Sequence, residues 1–280
     1  MTRVAIIGSP DKELAVETME RLRRWLNGRA DIVFSELTYA SDDLLGQRPE
    51  LLFVLGGDGT LITAAHNLLN RQLPIVGINL GKLGFMTEFT IEQIEREGDF
   101  LFQRPLPITR RVIMQVRLEH ADGVCHEMMA VNDCAVVSGP PFRMITVNVE
   151  ADGEAVAEVR GDGMIVATAS GSTAYNLAAG GPILEPTAEA LILTPLAAHT
   201  LTFRPLVLAV DHRIVVRVNQ ANDGTTVAID GHYHHPFRTG DRLILTRYPA
   251  DFILVRNPRH SGWYNLRKKL MWGQNPRNGG

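Results

Sequence analysis

The sequence predicts an α/β N-terminal domain with a parallel sheet, followed by an all-β, sandwich-like C-terminal domain. The chain has 280 residues, which is long for one hydrophobic core. Its first hundred residues alternate short apolar runs with helical patterns, as βαβ units do. Near Arg104 the pattern changes to short strands separated by turn signals such as Asp152-Gly153. We therefore expect domains over residues 1–104 and 105–255, with a C-terminal segment, 256–280, whose helix packs back on the first domain.

The first domain is predicted from its apolar runs and its helix signals. A helix after the first strand is indicated by the stripe Ala15, Met19, Leu22 and Leu26. Thr90 and Gln93 form a capping box that begins a short helix over 91–97. The predicted strands cover residues 4–7, 32–34, 51–55 and 74–79, and a further helix covers 61–69.

The second domain is predicted from period-two alternation, as at Val112, Met114, Val116 and Leu118. One segment, 161–181, interrupts the strands with small and hydroxyl residues. We expect a second helix N-terminus there, capped by Ser172 or Thr173; an ordinary capped helix packed through Ala and Gly explains the same pattern. Residues 261–272 have the pattern of a final amphipathic helix.

Composition excludes several classes of protein. Charged residues make up 21% of the chain and hydrophobic residues 45%, which is typical of a globular protein. The net charge of −3 gives no basic surface for nucleic acid, and no apolar stretch has the length of a membrane span. The two cysteines, Cys125 and Cys134, suit neither a disulfide framework nor a zinc site, so we expect two buried thiols in a cytoplasmic protein.

The strongest motif is LLFVLGGDGTLIT at residues 51–63, where a buried strand runs into a glycine turn before a helix. Parallel sheets bind ligands at this edge, and glycines let backbone amides approach a phosphate closely. The alternative is a tight turn with Asp58 as the N-cap of the helix. The chain contains no Gly-Lys-Ser or Gly-Lys-Thr and no Gly-x-Gly-x-x-Gly, so the commonest phosphate fingerprints are absent.

Four segments give the chain a resemblance to the NAD kinases over nearly its whole length. They are 56–60, the pair Asn132-Asp133, the block GDGMIVATASGSTAYNLAAGGPIL at 161–184, and NLGKLGF at 79–85. The glycine turn is shared with phosphofructokinases and diacylglycerol kinases, whereas the block at 161–184 is highly specific. The resemblance implies phosphoryl transfer from ATP to the 2′-hydroxyl of the adenosine ribose of NAD, giving NADP.

The resemblance also implies roles for the glycine turn. Asp58 is the predicted general base, since a ribose hydroxyl is a poor nucleophile until its proton is taken. Asp58 and Gly59 are predicted to contact NAD. Mg²⁺ would arrive with ATP and bridge its phosphates, so a metal site built only from protein ligands is not required. The predicted triphosphate-binding residues are Gly56, Gly57, Gly59 and Thr60.

On the dinucleotide side, Asn132 and Asp133 match the family's Asn-Asp or Asn-Glu pair; the residues alone would also fit a turn start. Asp230-Gly231-His232 departs from the family, which often has Gln at the last position. Either His232 keeps a hydrogen-bonding role or the local match is shifted. Tyr175 fits a place beside the adenosine and fits a core aromatic equally well. The predicted NAD-binding residues beyond these are Arg143, Arg160, Asp162, Thr173, Ala174, Asn176, Leu177 and Ala178.

Two other functions compete with this one. A lipid kinase of the diacylglycerol or sphingosine type shares the glycine turn, and a non-catalytic NAD or NADP sensor would share the binding residues. His232, His234 and His235 lie close together near Pro236, and an exposed turn explains them better than a metal site. Arg143 and Arg160 match positions that often face the dinucleotide across a subunit boundary in the family, so we expect a homodimer or homotetramer.

Overall fold

A computed structural model of the chain describes residues 1–10, 13–81, 84–199, 202–261 and 263–271. It divides into two compact units. The first unit contains Met1–Arg110 together with the chain from Phe252 onward, and the second unit is Arg111–Asp251. The predicted order, an α/β region followed by an all-β region, is confirmed.

The strands are β1 Arg3–Gly8, β2 Asp31–Glu36, β3 Leu51–Gly56, β4 Ile75–Asn79, β5 Ile108–Arg111, β6 Met114–Glu119, β7 Cys125–Ala130, β8 Asp133–Val137, β9 Ile145–Ala151, β10 Glu154–Gly161, β11 Gly163–Thr168, β12 Ala190–Leu196, β13 Leu206–Ala209, β14 Ile214–Gln220, β15 Thr226–Ile229, β16 Tyr233–Pro236, β17 Arg242–Arg247 and β18 Phe252–Val255. The α-helices are α1 Glu13–Leu26, α2 Asp42–Gly46, α3 Asp58–Leu68, α4 Ile91–Glu97, α5 Tyr175–Ala178 and α6 Tyr264–Lys269. Two 3₁₀ helices cover Gly98–Phe102 and Ser170–Thr173.

The first unit is built on a six-stranded sheet with the order β2-β1-β3-β4-β18-β5. Strand β1 pairs in parallel with β2 and β3, and β4 pairs in parallel with β3 and β18. All six residues of β3 are buried, as expected for the centre of a parallel sheet. The stripe predicted for α1 is buried, and the capping box of Thr90 and Gln93 is formed at the start of α4.

The second unit contains two six-stranded sheets with the orders β10-β9-β14-β17-β6-β7 and β13-β12-β11-β8-β15-β16. Every neighbouring pair in the two sheets is antiparallel. One core cluster draws side chains from both sheets, among them Val116, Val147 and Leu243 from one and Met164 and Leu193 from the other. The unit is therefore a sandwich of two antiparallel sheets.

The structure corrects three expectations. Strands β5 and β18 lie in the β-rich stretch of the sequence but belong to the sheet of the first unit, because strand patterning does not say which sheet a strand joins. Cys125 is exposed on edge strand β7, whereas Cys134 is buried. Ser172 and Thr173 cap no helix: both lie in a 3₁₀ turn, and α5 is a single turn without a side-chain cap.

Helix α6 lies in the first unit, where the Nδ2 of Asn265 donates to the backbone oxygen of Phe85 at 3.5 Å. The Nζ of Lys269 lies 5.6 Å from the centre of the Phe85 ring. The predicted return of the C-terminal helix to the first domain is confirmed. Trp272, the last residue of the predicted helix, lies outside the described residues. Among the residues that the structure describes, no helix has the length and apolarity needed to cross a membrane.

Candidate functional site

In the first unit, the glycine turn joins the buried strand β3 to helix α3. Gly57 is the N-cap, with extended backbone (φ −107°, ψ −169°), so Asp58 is the first residue of the helix and not its cap. A Cβ on Gly56 would lie 2.2 Å from Oγ1 of Thr60, which leaves no room for a side chain there. Nothing lies within 4 Å of a Cβ built on Gly59. The turn therefore presents an open helix N-terminus at the carboxyl end of β3, an arrangement that suits an anion.

The carboxylate of Asp58 is held by three backbone N–H groups of one loop. Phe85 donates to Oδ2 at 2.7 Å, and Met86 and Thr87 donate to Oδ1 at 3.0 and 3.3 Å. A Cβ on Gly84 would lie 2.0 Å from Oδ1, so only glycine lets this carboxylate approach the loop. We call residues 84–87 the Asp58 cradle.

The cradle has its own support. Thr87 is fully buried, and its Oγ1 accepts hydrogen bonds from the N–H of Gly84 at 3.2 Å and from Nδ2 of Asn79 at 3.3 Å. Sequence reasoning missed Gly84 and Thr87 as supporting residues. The signal was available, because Gly84 lies in the matched segment 79–85; Lys82 and Leu83 of that segment lie outside the described residues.

In the second unit, Asn132 and Asp133 lie where β8 begins, and their backbone is clamped from two sides. Asp230 accepts N–H hydrogen bonds from Val131, Asn132 and Asp133 at 2.8, 2.7 and 3.0 Å. Thr168, at the end of β11, donates its hydroxyl to the Val131 oxygen at 2.6 Å and its N–H to the Asn132 oxygen at 2.8 Å. Sequence analysis placed Asp230 only as a neighbour of His232 and missed this role.

The side chains of the pair differ in their surroundings. Oδ1 of Asn132 is buried and has no hydrogen-bond partner among the described protein atoms. Asp133 is only 6% exposed. Burial and the negative charge of Asp230 raise the pKa of Asp133 to about 7, against a smaller opposing effect of the Tyr175 backbone N–H. Burial also raises the pKa of the Cys134 thiol well above its usual range. An unsatisfied amide oxygen and a carboxyl that titrates near neutrality are typical of a ligand site.

A cavity of about 590 Å³ lies in the second unit and brings together three of the predicted residues, Asp162, Tyr175 and Ala178. Its remaining wall is largely apolar and includes Phe142 and Leu196. The Asp162 backbone is held in place, donating its N–H to the Leu196 oxygen at 2.9 Å. The volume suits part of a nucleotide-sized ligand. A larger depression of about 860 Å³, beside Arg23 and Arg24 in the first unit, contains none of the predicted site residues.

Within the predicted segment 173–178, Asn176 has a structural role. Its side chain is fully buried, its Nδ2 donates to the oxygens of Ser172 and Pro182 at 3.0 Å each, and its Oδ1 accepts from the Thr194 hydroxyl at 2.6 Å. Tyr175, in contrast, is 42% exposed and is not a core aromatic. The hydroxyl of Thr173 donates to the Ser170 oxygen at 3.4 Å. Ala174 and Leu177 are partly exposed.

Arg143, Arg160 and His232 are not among the residues that line this cavity. Arg143 and Arg160 are exposed, and their backbone oxygens accept hydrogen bonds from Asn222 and His199. His232 is exposed, with its Nδ1 2.7 Å from the Asp230 backbone oxygen.

Family models match both regions of the chain. Residues 35–104 match the ATP-NAD kinase N-terminal domain, and residues 131–257 match the ATP-NAD kinase C-terminal domain. An NAD kinase of Rhodopirellula baltica is 35% identical over 270 residues, covering 96% of this chain and 86% of the relative. An NAD kinase of Acidobacterium capsulatum is 36% identical over 284 residues, covering 98% of this chain and all of the relative.

Two solved structures share the fold. An NAD kinase from Archaeoglobus fulgidus in complex with ATP superposes with a TM-score of 0.78 at 28% identity, covering 96% of this chain and 99% of the other. Yeast NADH kinase complexed with NADH superposes with a TM-score of 0.84, covering 98% of this chain and 89% of the other; at 21% identity it shows the fold alone.

Proposed function

The chain belongs to the NAD kinase family and phosphorylates NAD to NADP with ATP, and we propose that Asp58 is the general base of this reaction. The resemblance noted in the sequence is confirmed. Neither the lipid kinase nor the non-catalytic sensor has support from the family models or from the relatives.

The observation that carries the assignment of Asp58 is its cradle. Three N–H donors fix both oxygens of the carboxylate, and a carboxylate has about four lone-pair positions, so one is left for the proton of a substrate hydroxyl. A base fixed in this way loses little freedom when it takes that proton, and a positioned base contributes about 10²–10⁴-fold to a rate. The proton moves from the ribose 2′-hydroxyl to Asp58 as the hydroxyl oxygen attacks the γ-phosphorus of ATP. The bond from that phosphorus to the β–γ bridging oxygen breaks, and ADP leaves.

The glycine turn is the proposed triphosphate site. Gly56, Gly57, Gly59 and Thr60 would bind phosphate oxygens through backbone N–H groups and the threonine hydroxyl, at the N-terminus of the 11-residue helix α3. An ATP-dependent kinase uses a divalent cation, and we assign Mg²⁺. The turn offers one carboxylate, already engaged by three N–H groups, which fits a cation that is carried by the phosphates.

The second unit is the proposed dinucleotide domain. Asn132 and Asp133 would bind the nucleoside through an amide and a carboxyl, and Asp162 and Tyr175 would bind it within the cavity of about 590 Å³. The small and apolar residues Thr173, Ala174, Leu177 and Ala178 would pack beside it. Asn176 supports this segment from within. The remaining polar contacts are assigned to Asp58 and Gly59 in the first unit and to Arg143, Arg160 and His232.

The same resemblance supports the wider assignments. We propose that residues 1–104 bind ATP, that residues 105–255 bind NAD, and that residues 256–280 pack on the first domain. We propose a homodimer or homotetramer, because Arg143 and Arg160 match positions that often lie at a subunit boundary in the family. We propose a cytoplasmic location, because both cysteines of the chain are free thiols. Size-exclusion chromatography with light scattering tests the oligomer.

The deciding experiment compares wild type with Asp58→Asn. We expect Asp58→Asn to bind NAD within a few-fold of wild type and to lose about 10²–10⁴-fold in kcat, as measured by NADP formation with ATP and Mg²⁺. Asp43→Asn is the matched control, because Asp43 is also in the first turn of a helix of the first unit but is exposed. Unchanged turnover in Asp58→Asn would remove Asp58 from the mechanism. Parallel assays with NADH and with polyphosphate define the acceptor and the donor.

A further inference from the structure

Two buried carboxyl groups lie side by side in the proposed dinucleotide domain. Asp133 is 6% exposed and Asp230 is 8% exposed. They are linked through their backbones, since the Asp230 carboxylate accepts the N–H of Asp133 at 3.0 Å and the N–H of Asp230 donates to the Asp133 oxygen at 2.9 Å. Two carboxyls so close in a buried place resist being ionised together.

The two carboxyl groups differ in the hydrogen bonds that they accept. Asp230 accepts three backbone N–H groups, which stabilise a carboxylate. Asp133 receives one, from the backbone of Tyr175. Burial, together with the neighbouring Asp230, raises the pKa of Asp133, so Asp133 holds a proton at a higher pH than an ordinary aspartate does.

The charges that act on Asp133 come from few groups. Asp230 follows β15, one neighbour of β8, and its negative charge adds to burial in raising the pKa of Asp133 to about 7. Cys134, the next residue in β8, is kept neutral by its own raised pKa. From the other side, the start of α5 contributes the Tyr175 N–H, which acts in the opposite direction. Asp133 thus changes charge within the physiological range of pH.

This change of charge matters for a nucleoside ligand. A ribose hydroxyl donates a strong hydrogen bond to an ionised carboxylate, whereas a protonated carboxyl loses this charge-assisted acceptor. The pyrophosphate of a dinucleotide stays ionised across the same range, so the ligand adds no competing titration. Binding that uses Asp133 as an acceptor must then strengthen as the pH rises.

We propose that Asp230 is a positioning residue that sets the pH at which Asp133 becomes a carboxylate, and that NAD binding by this chain therefore strengthens with pH across neutrality. The inference rests on the proposed assignment of Asp133 to the dinucleotide site. For one proton released near pH 7, the Kd for NAD should fall about tenfold between pH 6 and pH 8.

The test is isothermal titration calorimetry of NAD binding to the full chain from pH 5.5 to pH 8.5. Wild type should show the tenfold change, and Asp133→Asn should show none. In Asp230→Asn the midpoint should move to lower pH, because the neighbouring charge is removed. Asp211→Asn, an exposed aspartate of the same unit, is the charge control and should follow wild type.

A second measurement reports the proton directly. In ligand-free protein with ¹³C-labelled aspartate, a carboxyl carbon signal that titrates near pH 7 should be absent from Asp133→Asn and should titrate at lower pH in Asp230→Asn. A purely structural role for Asp230 would move neither this titration nor the pH profile.

Each result decides the matter. The proposal is overturned if the Kd of wild type for NAD does not depend on pH, or if Asp133→Asn keeps the pH dependence of wild type. Both outcomes can be measured even if Asp230→Asn fails to fold. An unshifted midpoint in a folded Asp230→Asn also overturns it. If Asp133 titrates near pH 7 while NAD binds at no pH, the assignment of Asp133 to NAD fails and the proton assignment stands, so the two failures are distinguishable.

Discussion

Replacing Gly84 with alanine is the sharpest test of the Asp58 cradle, because it adds one methyl group and changes no charge. A Cβ at residue 84 would lie 2.0 Å from Oδ1 of Asp58, 2.5 Å from its Cγ and 2.7 Å from its Oδ2. All three distances are shorter than the 3.0 Å that real Cβ atoms respect. The carboxylate or the loop must therefore move.

The size of the movement gives the size of the effect. Ordinary contact begins at 3.4 Å, so the carboxylate must withdraw by roughly 1.4 Å, which breaks its hydrogen bonds to Phe85 and Met86. A displacement of about 1 Å in a catalytic group can cost about 10²-fold in rate, or ~2.7 kcal/mol of activation free energy. We expect Gly84→Ala to lower kcat by about 10²-fold while the Kd for NAD stays within about twofold.

The assay is steady-state NADP formation, with the Kd for NAD measured by calorimetry and folding checked by circular dichroism and Tm. Gly46→Ala is the matched control, because Gly46 ends helix α2 in the same unit and nothing lies within 4 Å of a Cβ built there. A folded Gly84→Ala with the kcat of wild type would refute the argument that catalysis depends on the cradled position of Asp58.

Three further predictions concern the second unit. Asp133→Asn should be more stable relative to wild type at pH 8 than at pH 4. The pKa of Asp133 is about 7 in the folded state against 3.8 unfolded, so wild type loses stability as the pH rises from about 4 to about 7, by ~4 kcal/mol at most. Equal differences in urea-unfolding free energy between variant and wild type at the two pH values would contradict this. Thr168→Val removes the hydroxyl that pairs with the oxygen of Val131 and the N–H of Gly171, so it should cost about 1–3 kcal/mol of unfolding free energy. It should also raise KM for NAD more than it lowers kcat. A change in kcat alone would contradict the role of Thr168 in holding the backbone of residues 131 and 132. Asn176→Ala removes the three hydrogen bonds of a buried side chain and should cost about 2–4 kcal/mol of unfolding free energy in urea. A cost below about 0.5 kcal/mol would show that the amide does not hold the segment.

The local chemistry of the sequence determined the kind of each element and much of the site. The five apolar residues before Gly56 specify a fully buried strand, and the Thr90–Gln93 box begins α4 because both hydrogen bonds are made within four residues. The family was evident from the block 161–184 together with the glycine turn, and the family models and relatives confirm it. These signals are readable from the sequence because each depends on neighbours in the chain.

Tertiary structure alone decided the contacts between residues distant in sequence. Gly84 and Asp58 are 26 positions apart, and Asp230 lies about a hundred residues from the pair that it clamps, so no periodicity or turn rule joins them. The same holds for β18, whose apolar pattern specifies a strand but not the parallel pairing with β4. Tertiary structure also gives residues of one type different properties. Of three aspartates, Asp211 is exposed, Asp58 accepts three backbone N–H groups, and Asp133 has a pKa of about 7. The cause is that solvent, hydrogen-bond donors and neighbouring charge differ at the three positions.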